Sequence, residues 1–129
     1  MHYRQQTQRI IQDFCIKLLN REVLRRLEVS CAHDESCLID GMTLSREIER
    51  AAVRSIASRY DCLTVCIWLD CPVEIAVARV CAQQHAAADR NETLVREVAG
   101  RFERPSDAIR LDATLPMDEL LRLANEALA

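Results

Sequence analysis

The chain has 129 residues and a mass of 14.7 kDa, with 50% apolar residues, 29% charged residues and a formal net charge of −3. This length suits one domain with a buried core, and the apolar share excludes a disordered chain. The slight acidity gives no reason to expect a nucleic-acid face across the whole domain. No apolar stretch reaches the roughly 18 residues of a membrane span, and the first ten residues lack the apolar region of a secretory signal.

The first half of the chain predicts two helices and a short strand. Apolar residues recur at spacings of three and four over residues 4–28, which predicts an amphipathic helix. The polar residues 29–36 predict a loop. The apolar run CLID, residues 37–40, predicts a buried strand that ends in a turn. A second helix is predicted over residues 44–59, where acidic residues come early and arginines late, as the helix dipole favours.

The second half predicts two further strands among three helices. The run CLTVCIWLD, residues 62–70, is nearly all apolar and predicts a strand buried on both faces. Pro72 begins a third helix that extends to about residue 84, and a fourth helix is predicted over residues 93–102. A short strand over residues 108–112 precedes a final helix, which begins at Pro116.

This order of elements predicts an α/β fold with a parallel sheet. No repeat or linker divides the sequence, so we expect a single domain over residues 1–129. Within it, residues 1–35 form a helix and a loop of unclear origin, and residues 36–129 form the α/β part.

An aspartate closes each predicted strand: Asp40, Asp70 and Asp112. The carboxyl ends of parallel strands meet at one edge of a sheet, where ligands bind. Carboxylates at that edge can hold magnesium or accept a proton from a substrate hydroxyl. The alternative is that each aspartate simply caps the turn or helix that follows.

Neither glycine-rich phosphate loop can be formed from this sequence. Gly41 and Gly100 are its only glycines, and Lys17 is its only lysine beside sixteen arginines. A Walker loop needs two glycines five positions apart and then a lysine, and a dinucleotide fingerprint needs three glycines. Both motifs are therefore excluded from these 129 residues.

Three segments together resemble the small P-loop kinases of the polynucleotide-kinase and zeta-toxin type, which are AAA-type ATP-binding domains. They cover about residues 36–129, and they are LIDGMTLSREIERAAVRSIASRY, CLTVCIWLDCPVEIAVARV and RFERPSDAIRLDA. The resemblance implies a three-layer, P-loop-kinase-like parallel sheet, with ATP and magnesium as cofactors. It implies that Asp40 is a catalytic residue near the phosphates or the magnesium. It also implies that Arg79, in the helix leading to the lid, and Arg90, in the lid, bind the phosphates.

The same resemblance shows what is missing. Such kinases begin with a strand, the loop GxxxxGK[ST], a helix and a second strand that carries another aspartate. Without that loop the main electrostatic contribution to nucleotide binding is lost, so we expect no kinase activity from this chain alone. In such kinases the first strand, which has no counterpart here, lies in the sheet between two other strands. Those two strands are the ones that match residues 37–40 and 62–70. Either these two strands pair directly, or a second copy or another chain supplies the strand, or the chain is a truncated piece of a longer product.

Two further functions stay open. The chain could be a non-enzymatic α/β module that assembles with another chain. It could also be a small zinc-binding domain that uses Cys31, His33 and Cys37, although their spacing is not that of a standard zinc site. An odd number of cysteines, seven, several of them in apolar runs, predicts reduced thiols in a cytoplasmic protein. We expect no membrane partner, and no nucleic-acid partner beyond a kinase substrate.

Overall fold

A computed structural model gives the structure of the protein and describes residues 20–40, 44–83 and 90–129. These residues form an α/β structure with five helices and a two-stranded parallel sheet. In chain order the elements are α1 (20–32), α2 (Glu47–Arg59), β1 (Ile67–Asp70), α3 (Val73–Ala82), α4 (Glu92–Arg101), β2 (Ile109–Asp112) and α5 (Met117–Leu128). The predicted helix over residues 4–28 lies outside the described residues up to residue 19.

The described residues belong to two compact units. The first contains α1 and nearly all of α2, in residues 20–40, 44 and 48–64. The second contains both strands and the remaining helices, in residues 45–47, 65–83 and 90–129. A single domain over the whole chain, and its three-layer form, stay predictions.

The core of the first unit is a small apolar cluster between α1 and α2. Its buried members are Leu27 and Cys31 from α1, together with Ile56 and Ala57 from α2. The spacing of four residues on α1 puts both of its members on one face of the helix. Partly buried apolar side chains, among them Ile39 and Cys62, pack around this cluster. The predicted apolar face of the first helix includes Leu27, and the structure extends that face to Cys31.

Both helices of the first unit end in the same backbone motif. The amide of Cys62 donates to the carbonyl of Ala57 at 2.9 Å, and that of Asp61 donates to Ser58 at 3.2 Å. The end of α1 repeats this pattern, with Asp34 in the place of Asp61. The two aspartates have φ angles of 56° (Asp34) and 54° (Asp61), the left-handed conformation that usually selects glycine. In a sequence with two glycines, aspartate fills both positions.

We expect Asp61→Gly to stabilise the first unit by about 0.5–1 kcal/mol, since glycine adopts a left-handed φ without a Cβ penalty. The substitution also removes a negative charge from the carboxyl end of α2, where the helix dipole disfavours it. Asp61→Ala is the matched control and should be destabilising, because alanine keeps the Cβ and loses the polar side chain. Urea unfolding followed by circular dichroism measures both. A Gly variant less stable than the Ala variant would contradict this account.

The second unit is built on the parallel pair of strands. Ile67 is opposite Ile109 and Asp70 is opposite Asp112 in the register, so the two strands pair along their whole length. The helices α3 and α4 lie between them in sequence and pack on each other, and α5 packs on β2. The sheet and these helices bury Leu111, together with the smaller side chains of Val77 and Ala113.

An ion pair joins α3 to α4. The Arg96 guanidinium donates to both carboxylate oxygens of Glu74, from Nη1 at 3.0 Å and from Nη2 at 3.2 Å, and its Nε donates to Glu92 at 3.0 Å. Hydrogen bonds from Arg96 lower the pKa of Glu74. The side chain of Asn91 caps α4 by accepting from the amide of Leu94 at 3.1 Å.

The structure corrects two strand predictions and the start of one loop. Residues 37–40 are not a strand: they follow α1 as irregular chain in which the Leu38 side chain is 90% exposed. Residues 62–66 are likewise irregular, so the predicted strand 62–70 shrinks to β1. An apolar run becomes a strand only where another strand pairs with it. Because β2 has four residues that pair with β1, β1 is four residues long. Helix α1 continues to residue 32, into the predicted loop 29–36.

Candidate functional site

The carboxyl edge of the two-stranded sheet is the candidate site. Asp70 and Asp112 are the last residues of β1 and β2, and they are Cα partners in the parallel register. The amide of Ala113 continues the ladder by donating to the carbonyl of Asp70 at 2.9 Å. The prediction that these two aspartates meet at one edge is confirmed. Each carboxylate, however, already has a partner in the protein.

Asp70 is held by an arginine of the neighbouring strand. The Nε of Arg110 lies 2.6 Å from Oδ2 of Asp70, and the Asp70 side chain is 25% exposed. Because Arg110 is paired in register with Trp68, its guanidinium reaches the end of β1 across two rungs of the ladder. The carboxylate is therefore neutralised within the sheet.

Asp112 closes a turn. Its Oδ1 accepts from the amide of Thr114 at 2.9 Å and from the hydroxyl of Thr114 at 2.6 Å. These two bonds, the hydroxyl first, lower the pKa of Asp112. The alternative that an aspartate ends a strand because it caps the next turn thus describes Asp112.

Arg79 lies at the same edge. Its Nη1 donates to the carbonyl of Ala113 at 2.7 Å, directly after the end of β2. This bond ties α3 to the sheet and holds the guanidinium beside the last residues of β2. A guanidinium carries five N–H groups, so further donors remain on an exposed side chain. The Arg79 guanidinium is therefore a positioned cation at the carboxyl edge of the sheet.

Arg90 and Asp40 are in different places. Arg90 belongs to the second unit, is exposed, and directly precedes Asn91, the residue that caps α4. Asp40 belongs to the first unit and is exposed in the irregular chain after α1, so it does not close a strand as predicted. The roles of Asp40, Arg79 and Arg90 in binding a nucleotide stay predictions.

Sequence reasoning missed an aromatic group on the sheet. The rings of Trp68 and Phe102 are 5.5 Å apart, and the guanidinium carbons of Arg104 and Arg110 lie 5.6 and 5.9 Å from the Trp68 ring centre. Arg110 thus contacts the Trp68 ring as well as the Asp70 carboxylate. The RFERP segment, which begins at the end of α4 and precedes β2, supplies Phe102 and Arg104, and the strand register places Arg110 opposite Trp68.

The proposed zinc ligands have other environments. Cys31 is buried in the first unit's core, and Nδ1 of His33 lies 2.8 Å from the carbonyl of Val29. Within the parts of the chain that the structure describes, no three His, Cys, Asp or Glu side chains are arranged to hold a metal ion. Across those same parts, no helix combines the length and the apolar character needed to cross a bilayer.

Comparison with known proteins gives one match. A family model described as an AAA domain matches residues 1–105. The matched range includes Asp40, Arg79 and Arg90, and it ends before β2. Searches of curated proteins and of solved structures found no match.

Proposed function

Because the chain belongs to the AAA domain family, we propose that it is a kinase-like domain related to the ATP-dependent phosphotransferases of the polynucleotide-kinase and zeta-toxin type. We propose that these 129 residues contribute the arginines of a phosphate site but catalyse no phosphoryl transfer by themselves. The single observation that carries the proposal is the position of Arg79, bonded to Ala113 at the carboxyl edge of the sheet. Ligands of open parallel sheets bind at that edge.

Arg79 is the residue best suited to bind a phosphate. Its guanidinium is fixed at one end by the 2.7 Å bond to Ala113, so binding an anion costs little further side-chain ordering. The planar fork of arginine matches the oxygens of a phosphate. Arg90 is proposed, from the resemblance, as the second phosphate-binding arginine, carried by the segment before α4.

The described edge is not a complete magnesium site. Oδ2 of Asp70 pairs with Arg110, and Oδ1 of Asp112 accepts both donors of Thr114, so one oxygen of each carboxylate is engaged. Magnesium prefers several oxygen ligands, and within the described residues no three His, Cys, Asp or Glu side chains are grouped to hold a metal ion. Asp40 remains the proposed ligand or catalytic residue by resemblance alone. No step of a reaction is therefore derived through the metal.

The missing phosphate loop limits the affinity. In phosphoryl transfer by P-loop enzymes, backbone amides of the loop and its lysine hold the β- and γ-phosphates. None of the 129 residues forms GxxxxGK[ST], so Arg79 and Arg90 would act on a nucleotide held mainly by another segment or chain. We propose that this missing part also brings a strand.

A second candidate function is an assembly module, and exposed apolar residues favour it. Within the described residues, each strand has one hydrogen-bonded neighbour, which leaves one edge of β1 and one of β2 without a strand. Leu69 on β1 is 59% exposed. On α5, Met117, Leu121 and Leu128 share one face at helical spacing and are 70%, 57% and 60% exposed. Such surface is typical of a contact with a second copy or another chain.

Nucleotide titration tests the proposed function. We expect ATP to bind the chain alone with a Kd above about 1 mM, with or without magnesium, since the phosphate loop is missing. In ¹⁵N spectra, tripolyphosphate should shift the signals of residues around Arg79, and Arg79→Gln should remove these shifts. Arg122→Gln is the control, because Glu119 and Glu126 already neutralise Arg122. Micromolar ATP binding would contradict the expected loss of affinity, and equal effects of the two variants would contradict the role of Arg79.

A further inference from the structure

Two cysteines that are 31 positions apart in sequence meet in the first unit. The Sγ of Cys62 lies 3.9 Å from the carbonyl oxygen of Cys31 and 3.7 Å from that of Tyr60. Cys62 also packs on the apolar cluster that contains Cys31. None of the six described cysteines is in a disulfide.

The backbone around this pair is well defined by hydrogen bonds. Cys31 is in the last turns of α1, where its carbonyl accepts from the amide of Asp34 at 3.1 Å. Cys62 follows the left-handed Asp61 and donates its amide to Ala57 at 2.9 Å. The ends of α1 and α2 therefore hold the two thiols on adjoining parts of one core.

The two thiols differ in accessibility. Cys31 is 8% exposed, whereas Cys62 is half-buried. Burial raises the pKa of the Cys31 thiol, and the hydrogen bond with the Cys62 thiol raises it further. Cys31 is thus a poor first nucleophile toward a soluble oxidant, because the thiolate is the reactive form. Cys62 is the thiol that an oxidant reaches first.

We propose that Cys31 and Cys62 are a disulfide-forming pair that a peroxide oxidises. The Cys62 sulfur attacks one oxygen of hydrogen peroxide, the O–O bond breaks, and one water leaves with the thiol proton, giving a sulfenic acid on Cys62. The Cys31 sulfur then attacks the Cys62 sulfur, forming the S–S bond and releasing the second water. Two electrons pass from the two thiols to the peroxide. A dithiol reductant reverses the reaction by thiol–disulfide exchange.

The bond would close a ring around a large part of the first unit. That ring contains residues 32–61, including α2 and Asp40. Cross-linking removes conformations from the unfolded chain, so the oxidised protein should unfold at a higher temperature, by roughly 5 °C or more. The modification would restrain the segment that carries Asp40 without changing any residue of the sheet edge.

Peptide mapping of the full chain tests the proposal. The protein is treated with hydrogen peroxide, its remaining thiols are alkylated, and it is digested without reductant. We expect a peptide pair that joins Cys31 to Cys62, the loss of two of the seven thiols, and recovery of all seven with dithiothreitol.

Two variants separate this pair from its neighbour Cys37, which is exposed and contributes to the raised pKa of Cys31. In Cys37→Ser, the Cys31–Cys62 link and the increase in the unfolding temperature should persist. In Cys62→Ser, both should disappear, while the reduced variant keeps its helical circular dichroism signal. A Cys31–Cys37 link in place of the expected one would overturn the proposal. So would oxidation that stops at Cys62 without a link, or links only between molecules.

Discussion

Arg50→Ala is expected to lower the free energy of unfolding of the first unit by about 2–4 kcal/mol, an unusually large effect for an arginine. Arg50 is on α2 and is 4% exposed. Its Nη1 donates to the carbonyl of Leu44 at 2.8 Å, which fixes the chain that enters the helix. Truncation removes the aliphatic packing of the side chain and leaves a partly buried carbonyl without this charged donor.

Hydrogen exchange of the α2 amides measures this effect, because exchange from a protected helix reports its opening free energy. The expected loss corresponds to roughly 30- to 1,000-fold faster exchange. Arg59→Ala is the matched control on the same helix: its side chain is 59% exposed, and it lies 3.8 Å from Glu28. An exposed pair of this kind contributes less than about 1 kcal/mol. Equal effects at the two positions would show that Arg50 does not stabilise the unit through its buried contacts.

The helices could be predicted from the sequence because their signals are local. Early acids and late arginines predict α2, and its observed bounds differ from the prediction only at the amino end. Pro72 and Pro116 are predicted to begin two helices, and each lies one residue before the helix, as the N-cap of α3 and α5. Each of these signals acts within one or two turns of helix, so no knowledge of distant partners is needed.

Strands depend on partners, and here prediction from the sequence was weaker. Residues 37–40 and 62–66 have the composition of strands but are irregular, while β2 pairs and was predicted over nearly its observed length. Composition measures how well a side chain suits a half-buried pleated surface, and it does not say whether a neighbouring strand is present. Within the described residues, no strand pairs with residues 37–40, because the only sheet described there consists of β1 and β2.

The candidate site was predicted in part for the same reason. Parallel strands end at the same edge of a sheet, so the predicted fold class already placed Asp70 and Asp112 together. The fold class did not predict which side chains contact these two aspartates. Arg110 reaches Asp70 through the strand register, and Arg79 on α3 reaches Ala113, which directly follows β2. These contacts join residues 34 or more positions apart, which no local pattern encodes.

The second large effect is expected at Leu111, the most buried residue of the sheet. Leu111 is 6% exposed, and its register partner on β1, Leu69, is 59% exposed. The strands thus offer the same residue type at the same rung in two environments. We expect Leu111→Ala to lower the free energy of unfolding of the second unit by about 2–3 kcal/mol, and Leu69→Ala by less than about 1 kcal/mol.

Trp68 makes the measurement direct, because it is the single tryptophan and is the neighbour of Leu69 on β1. Urea unfolding followed by its fluorescence gives the midpoint and the slope for each variant. A lower midpoint for Leu111→Ala at unchanged slope would report lost core packing. If Leu69→Ala were the more destabilising of the two, the exposed face of β1 would have to be covered in solution. That result would favour an assembly module, in which another chain packs on the strand that this chain leaves exposed.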